Sequence, residues 1–395
     1  MARVLHISRH ERMDRRITGE MNHLVRAGHD VAFLSTPVDL AGAGLSERIR
    51  LAVPRMTDGG PGVSSGSARF RQLVRRGLLC LPRAVSVPVY ARALASTDKS
   101  VCRLLDGLLA ECLRDFAPDV IHVHDLRLVR YAMELKRRHP SARVVYDAHE
   151  LTPFQVVNRA VETYLLERER EAVRQVDAVI TVNEGIAERM RQLYGIARPH
   201  VVLNSVEPSG RRICVPPSHE GVNVIFQGSL ARGRNLERLV RAFRILPPDF
   251  RLTVLGDGPL LGRLRRMASG NVVFRDAVPQ TELLEMTARA DFGVIPYLGD
   301  TCENNRLCTP NKLFEYIEAG LPVCSSDLPE VARILSACGN GQCFPMRSEE
   351  EIAAAVRTMA DALSSGRFDV SAREAARARF SHDAQMKVLE RACGL

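Results

Sequence analysis

The sequence predicts an α/β fold made of two doubly wound domains, and three observations support this. Short apolar runs alternate with segments of helical periodicity along the chain, a pattern typical of βαβ units with a mostly parallel sheet. The alternation restarts after a stretch rich in Pro, Gly and Ser, Pro208–Gly221, which indicates a linker. The chain has 395 residues, 46% hydrophobic and 26% charged, an ordinary composition for a globular protein of two or three domains.

The first half of the chain begins with the apolar run Arg3–Ser8, which predicts a buried strand. A helical pattern follows over Arg15–Ala27 and stops at Gly28, a residue type that favours helix C-termini. The other predicted strands of this half are Asp30–Ser35, Val120–His124, Arg143–Asp147, Ala178–Val182 and Val201–Leu203. The other predicted helices are Val101–Phe116, Leu126–Arg138 and Glu184–Tyr194.

The second half repeats the alternation with shorter elements. Its predicted strands are Val222–Gln227, Arg251–Leu255, Asn271–Phe274, Phe292–Ile295 and Pro322–Ser325. Its predicted helices are Asn235–Leu246, Thr281–Arg289 and Asn311–Ala319, with further helices up to the C-terminus. We therefore expect a first domain over 1–205, a linker over 206–221 and a second domain over 222–378. A C-terminal helix over 379–395 could pack back toward the first domain.

The chain is basic, with 55 Lys and Arg against 46 Asp and Glu, and a net charge of +9. Aromatic residues are only 5% and Trp is absent, which argues against a stacking platform for nucleic acid. No apolar run is long enough for a transmembrane helix or a signal peptide, so we expect a cytoplasmic protein. The basic amphipathic segment Ala68–Leu94 fits either an anionic membrane surface, placing the protein at the inner face of the cell membrane, or an ordinary surface helix.

Metal and redox sites find little support in the sequence. None of the ten cysteines shows C-x-x-C spacing, so buried free thiols are expected. His122 and His124 lie on one face of a predicted strand, but no third ligand with suitable spacing is evident, and no metal is predicted. Gly62–Gly66 spells G-x-S-x-G without a preceding strand, and Gly256–Gly262 departs from the dinucleotide-binding spacing.

Two loops in the second domain are suited to binding an anionic ligand. The turn after strand Val222–Gln227 contains Gly228 and Ser229, followed by Arg232 and Arg234, and such a Gly-rich turn can expose backbone N–H groups to an anion. The second is the stretch Glu303–Ser326, in which Pro310 is expected to begin a helix with Asn311 and Lys312 in its first turn. Glu315 follows one turn later. Its carboxylate could accept hydrogen bonds from the hydroxyls of a ribose, or it could only interact favourably with the positive end of the helix dipole.

Taken together, these stretches resemble the retaining glycosyltransferases of the GT-B fold, specifically glycosyltransferase family 4 (glycosyl transferases group 1). The matching segments occur in family order: VIHVHD, VVYDAHE, VDAVITVNEGIAERM, VVLNSVE, FQGSL…GR, VLGDGP, ELLEMTARADFGVIPY and PNKLFEYIEAGLPV. The resemblance implies two Rossmann-like domains facing each other across a cleft. It also implies transfer of a sugar from a nucleotide diphosphate sugar to a hydroxyl acceptor, without a metal or another cofactor.

The resemblance assigns roles to individual positions. Three residues are expected to be catalytic: His149, Arg234 and Glu315. Residues expected to bind the donor are Gly228, Ser229, Arg232, Arg275, Glu303, Leu307, Cys308, Thr309, Asn311 and Lys312. Residues expected to face the acceptor are Arg9, Asp14, Arg15, His122, His124 and Asp125.

Two positions depart from the family pattern and keep other functions open. Leu307 stands where the first Glu of the family's E-x7-E motif would fall, so either Glu303 or backbone N–H groups of 307–309 would contact the sugar and phosphate. Ser229 replaces a common Arg, which Arg232 could compensate. The alternatives are a GT-B sugar-nucleotide 2-epimerase and a non-catalytic pseudo-glycosyltransferase. For the enzyme, UDP-sugars are the first expected donors and GDP-mannose the second, with a glycan, lipid-linked or natural-product acceptor.

Overall fold

A computed structural model describes residues 1–11, 13–40, 42–54, 83–155, 159–208, 220–300 and 302–395. Most of the basic segment Ala68–Leu94, the Gly62–Gly66 loop and most of the predicted linker lie outside the described residues. The chain forms two compact units, one containing residues 1–202 and 386–395 and the other residues 203–385.

The first unit is built on a seven-stranded parallel sheet with the order β3-β2-β1-β4-β5-β6-β7. Its strands are β1 Arg3–Ser8, β2 Asp30–Ser35, β3 Arg50–Ala52, β4 Val120–Val123, β5 Arg143–Ala148, β6 Ala178–Thr181 and β7 His200–Val201. The helices in sequence between these strands are α1 Arg15–Arg26, α2 Arg83–Cys112, α3 Leu126–Arg138, α4 Arg159–Gln175 and α5 Glu184–Tyr194, with a 3₁₀ turn at Thr152–Gln155.

Helix α1 shows how the sequence produces this packing. The Asp14 side chain caps it by accepting a hydrogen bond from the Arg16 amide at 2.8 Å. Ile17, Met21 and Leu24 recur at helical spacing and are buried in the core with strand residues such as Val145. The last helix of the chain joins the same core, so the first unit is completed by residues from the end of the sequence.

The second unit is built on a six-stranded parallel sheet with the order β10-β9-β8-β11-β12-β13. Its strands are β8 Val222–Gln227, β9 Phe250–Leu255, β10 Val272–Arg275, β11 Phe292–Ile295, β12 Val323–Ser326 and β13 Gly341–Phe344. The helices of the chain's second half are α6 Leu236–Ala242, α7 Leu261–Met267, α8 Gln280–Thr287, α9 Glu303–Arg306, α10 Asn311–Glu318, α11 Pro329–Cys338, α12 Glu349–Ser364, α13 Val370–Arg379 and α14 His382–Cys393.

Several predicted boundaries are wrong. Helix α2 begins at Arg83 instead of Val101, because neither Pro88 nor the polar stretch Ser96–Ser100 interrupts it. The sequence prediction missed the short edge strands β3 and β13, which have little apolar character of their own. The chain's last helix begins at His382 and not at the predicted residue 379, because residue 379 is still part of α13. Among the described residues, no helix is both long and apolar enough to cross a membrane.

Candidate active site

One candidate site lies in the second unit, where β8 ends. Gly228 has a φ of +117°, and a Cβ placed on it would lie 3.4 Å from the Lys312 ammonium. A Cβ on Gly256, at the end of β9, would lie only 2.1 Å from the Gly228 carbonyl oxygen. Gly256 therefore allows the ends of β8 and β9 to approach closely. This close approach explains why a glycine stands at position 256, which the sequence alone likened to a dinucleotide-binding motif.

Two cations converge beside this strand end. Arg234, from the loop after β8, and Lys312, from the first turn of α10, both donate hydrogen bonds to the hydroxyl of Tyr297. The Lys312 Nζ also lies 4.5 Å from the centre of the Tyr297 ring and 4.8 Å from that of Phe226. Lys312 is only 4% exposed, and within the described ranges neither cation has a carboxylate within 4.0 Å. Such a pair is suited to an anionic ligand.

Glu315 lies one turn after Lys312 and is only 2% exposed. Its Oε2 accepts a hydrogen bond from the Gln227 side-chain amide. The side-chain oxygen of Gln227 lies 2.7 Å from the Thr287 hydroxyl, which also lies 2.6 Å from the Leu283 carbonyl oxygen. A residue at the end of β8 thus positions the Glu315 carboxylate.

The other predicted donor residues occupy different environments. Four of them, Gly228, Ser229, Arg232 and Arg275, are exposed at strand ends and loops. Asn311 is also exposed and accepts a hydrogen bond from the Asn204 side chain at 2.9 Å.

The backbone near Leu307 corrects one expectation. The Leu307 amide donates to the Glu303 carbonyl at 3.1 Å, and the Cys308 amide points to the Asn305 carbonyl at 3.5 Å. Both N–H groups therefore close the short helix α9 instead of facing a sugar or phosphate. The Leu307 side chain is buried, as is Thr309, while Glu303 is half-buried in the first turn of α9.

A separate candidate site lies in the first unit, at the end of β5. His149 follows this strand, and its Nε2 lies 3.1 Å from His124 Nδ1 and 3.5 Å from Asp147 Oδ2. Burial is the largest influence on the pKa of His149 and lowers it, but the charge and hydrogen bonding of Asp147, together with the charge of Asp14, outweigh burial, so the pKa is raised. Asp14 at the start of α1 lies 4.0 Å from the other ring nitrogen.

Asp147 is the buried anchor of this region. Arg16 donates two hydrogen bonds to it, from Nε at 2.9 Å and from Nη2 at 3.0 Å. Burial is the largest influence on the pKa of Asp147 and raises it, but Arg16 and the neighbouring histidines together outweigh burial, so the pKa lies well below its ordinary value. Asp147 therefore carries a negative charge beneath His149.

The predicted acceptor residues separate into surface and interior groups. Arg9 and Asp125 are partly exposed and lie 3.7 Å apart, while Asp98 lies 3.6 Å from the Arg9 guanidinium. Arg15 is exposed. His122 and His124 are buried, which contradicts their predicted contact with an acceptor. Their side chains project from β4 into the sheet–helix interface, beneath the surface that an acceptor could reach.

Sequence reasoning missed several residues that the fold brings into these regions. In the second unit they are Gln227 and Tyr297, and in the first unit they are His6, Arg16, Glu20, Asp98 and Asp147. Tyr297 stands two residues after β11. Its position at a strand end could have indicated a site residue, because ligands of α/β folds bind at the carboxyl ends of strands. Arg16 and Glu20 gave no signal, because charged residues in a helix usually face solvent.

Two family models match this chain. Residues 13–207 match the model described as glycosyl transferase 4-like domain, and residues 221–362 match the model described as glycosyl transferases group 1. A curated relative, an exopolysaccharide phosphotransferase of Streptomyces coelicolor, is 26% identical over 268 residues. That alignment covers 65% of this chain and 26% of the relative, so the chain spans about a quarter of the relative's length.

Solved structures share the fold across the full chain. A sucrose-phosphate synthase from Thermosynechococcus elongatus gives a TM-score of 0.71 at 15% identity, covering 99% of this chain and 98% of that one. HepE from Anabaena in complex with UDP-glucose gives a TM-score of 0.65 at 13% identity, covering 100% of both chains. Identities this low establish the shared fold only.

Proposed function

Because the chain belongs to the group 1 glycosyltransferases and has the GT-B fold, we propose that it transfers a sugar from a nucleotide diphosphate sugar to a hydroxyl acceptor with retention at the anomeric carbon. The observation that carries the proposal is the convergence of Arg234 and Lys312 on Tyr297, with no carboxylate within 4.0 Å of either cation among the described residues.

The reaction requires stabilisation of a leaving group. Cleavage of the bond between the anomeric carbon and the donor oxygen leaves negative charge on the diphosphate and positive charge on the sugar. Arg234 and Lys312 would stabilise that diphosphate electrostatically, which is the part a divalent ion plays at other diphosphate sites. Arg232, exposed on the same loop as Arg234, would add positive charge. We propose that this transfer is metal-independent.

Glu315 and His149 receive roles consistent with their surroundings. Gln227 holds the Glu315 carboxylate, which would accept hydrogen bonds from two ribose hydroxyls. His149, held by His124 and Asp147, would contact the donor sugar or the acceptor. Bond formation between the acceptor oxygen and the anomeric carbon releases one proton, which the departing phosphate would take on the same face of the sugar.

We propose UDP-sugars as the first donors to test and GDP-mannose as the second. The support is that HepE, which shares this fold, has been solved with UDP and with UDP-glucose. Acceptors to test include glycans and lipid-linked oligosaccharides, with vesicles of anionic lipid to probe membrane association. Arg9 and Asp125, which are partly exposed and lie 3.7 Å apart, are the residues that we propose for acceptor binding.

The first experiment measures nucleotide binding. UDP, GDP, CDP and dTDP are compared by thermal shift and calorimetry, since a ligand that binds only the folded state raises its stability. Arg234→Ala and Glu315→Ala are each expected to lower turnover at least about tenfold, because each removes a charged contact to the donor. Arg289→Ala is the matched control, since Arg289 is exposed on the loop after α8 and pairs with Glu285.

Product analysis separates the remaining functions. Sugar transfer releases a nucleoside diphosphate, whereas sugar-phosphate transfer, suggested by the name of the curated relative, would release a nucleoside monophosphate. Epimerised donor formed without acceptor would support the 2-epimerase instead. Donor binding without any turnover would support a pseudo-glycosyltransferase. Unchanged binding and turnover in Arg234→Ala and Glu315→Ala would refute the assigned donor site.

A further inference from the structure

The interior of the first unit contains three histidines and a glutamate in contact distance of one another. His6 on β1 stands opposite His122 on β4, and His124 follows two residues later on the same face of that strand. Glu20 reaches this face from α1. His6, His122 and Glu20 are fully buried and His124 is 3% exposed, a polar grouping that is costly in a protein core unless its members are paired.

The candidate ligand atoms of these four side chains lie close together. His6 Nδ1 lies 2.9 Å from His124 Nε2, and His122 Nδ1 lies 3.8 Å from Glu20 Oε2. One donor atom from each residue lies within 4.8 Å of those of the other three. Among the described residues, neither ring nitrogen of His122 nor Glu20 Oε2 has a hydrogen-bond partner. Buried polar atoms of this kind destabilise the fold when they are left unsatisfied.

We propose that His6, Glu20, His122 and His124 form a binding site for one divalent transition-metal ion of the zinc class. Three imidazole nitrogens and one carboxylate oxygen form a ligand set that zinc accepts, with bonds of about 2.0–2.2 Å. Calcium and magnesium prefer ligand sets made of oxygen, so the three nitrogens argue against them. Four buried protein ligands make a closed site, which is typical of a structural role.

The residues behind the cluster support a metal ion more than any other occupant. Asp147 Oδ2 lies 3.7 Å from His122 Nε2 and 3.6 Å from His124 Nδ1, on the ring nitrogens opposite to those that would bind the ion. Metal-binding histidines commonly present their second nitrogen to a carboxylate in this way.

The local charge also favours a cation. Arg16 is shared between Asp147 and Glu20, with its Nε 3.1 Å from Glu20 Oε1. His149, whose pKa Asp147 raises, also lies 3.5 Å from Asp147, so the carboxylates exceed the cations by one negative charge at a pH where His149 is neutral. An anion at this position would face Glu20 directly, so the imbalance selects for a positive ion.

The experiment measures metal content. The full-length protein is produced in medium containing zinc, purified without chelator, dialysed and analysed by elemental mass spectrometry. We expect close to one zinc ion per chain. Replacement by cobalt(II) should give the visible absorption of a four-coordinate site. Stripping the wild-type protein with a chelator should lower its melting temperature, and zinc should restore it.

Variants assign the site. His122→Gln and Glu20→Gln should each reduce zinc affinity at least about tenfold, a size typical of losing a contact at a metal site. His200→Gln is the matched control, because His200 lies exposed on β7 of the same unit. His149→Asn should retain the ion, since His149 belongs to a neighbouring group with His124 and Asp147.

Three results would overturn the proposal. One is wild-type protein that carries only traces of metal and gives no cobalt absorption. Another is full retention of zinc by a correctly folded His122→Gln variant, checked by circular dichroism. The third is loss of the ion in His149→Asn with retention in Glu20→Gln, which would place it in the neighbouring group.

Discussion

Lys312 is the residue at which the needs of binding and of stability conflict most clearly. Its ammonium is buried, contacts the rings of Phe226 and Tyr297, and donates to the Tyr297 hydroxyl. Aromatic faces and one hydroxyl compensate only part of the cost of removing a cation from water. An anionic ligand would supply the missing partner, so the free protein retains a charge that is unfavourable until the ligand binds.

Lys312→Met therefore separates the two effects. We expect the variant to bind UDP at least about tenfold more weakly, because a buried charged contact is worth more than about 1.4 kcal/mol. In the absence of nucleotide we expect the variant to be as stable as the wild type or more stable, because an apolar side chain of similar length replaces a buried charge. Calorimetry with UDP and urea denaturation measure the two quantities. Affinity equal to that of the wild type would contradict the role of Lys312.

A second buried charge has consequences for pH. Glu169 accepts hydrogen bonds from the hydroxyls of Tyr146 at 2.8 Å and of Tyr194, and burial raises its pKa from 4.5 to about 7. A pKa that is higher in the folded state means that protonated Glu169 stabilises the fold. This contribution is complete below about pH 4.5, declines as the pH rises toward 7 and is absent above it.

Glu169→Gln should remove this pH dependence. The difference in unfolding free energy between wild type and variant should change by about 3 kcal/mol between pH 4.5 and 8, with the wild type losing stability as the pH rises. Urea denaturation of both proteins across this range measures the difference, and other titrating groups cancel in the comparison. Parallel curves would show that Glu169 does not titrate as described.

At this scale the sequence predicted the cations of the site better than their surroundings. Arg234, Lys312 and Glu315 could be selected because each stands in a recognisable motif. Tyr297 and Gln227 also stand in matching segments, but their roles could not be assigned, because those roles depend on strands that only the folded sheet brings together. Leu307 shows the opposite error, since its amide was assigned to a ligand but closes a helical turn.

Among the elements, α10 positions more of the site than any other helix, and one glycine lets it dock. A Cβ on Gly293, in the middle of β11, would lie 2.4 Å from the ring of Tyr316 on α10. Tyr316 packs in that space and donates a hydrogen bond to the Ile225 carbonyl at 3.1 Å. Lys312 and Glu315 lie on the same helix, so their positions depend on this contact.

Gly293→Ala should displace α10 and affect both stability and binding. We expect a loss of about 1–3 kcal/mol from overpacking, together with weaker UDP binding. Gly270→Ala is the matched control, because nothing lies within 4 Å of a Cβ at that position. Denaturation and calorimetry on both variants provide the test. A Gly293→Ala protein with native stability and affinity would show that α10 is not seated through this glycine.

The sequence predicted central elements more reliably than peripheral ones. Strands β1, β4 and β8 are buried apolar runs, and a run of that kind has few other stable conformations. The edge strand β13 consists of Gly341–Phe344, in which every residue is only partly buried, so its pattern carried little information. Helix α2 begins before the predicted start at Val101 and runs through Pro88, a residue type that usually ends or kinks a helix.

At the scale of the whole molecule, the first unit is built from two separate parts of the sequence. The chain leaves the first unit after Val202 and re-enters it at Met386. The sequence predicted that the second domain begins at Val222, because the alternation of strands and helices starts again there after a linker rich in Pro, Gly and Ser. For the return, the expectation was only that a helix over 379–395 could pack back toward the first domain, because an amphipathic helix can cover either core equally well.

The return of the chain makes the first unit dependent on residues far away in sequence. Leu389 on α14 is completely buried and belongs to the core that contains Val4, Ile17 and Val145. Leu389→Ala should cost about 2–5 kcal/mol through lost burial and the cavity left behind. The loss should appear as faster hydrogen exchange in β1 and β5, while peptides from the second unit keep their protection.

Leu335→Ala is the matched control, since Leu335 on α11 is equally deep in the second unit and should loosen β12 and β13 instead. Mass spectrometry of the exchanged peptides distinguishes the two patterns. If Leu389→Ala increased exchange mainly between residues 203 and 385, α14 would stabilise the second unit and the assignment of the last ten residues would be wrong. The expected result identifies α14 as the element that couples the end of the chain to the unit containing His149.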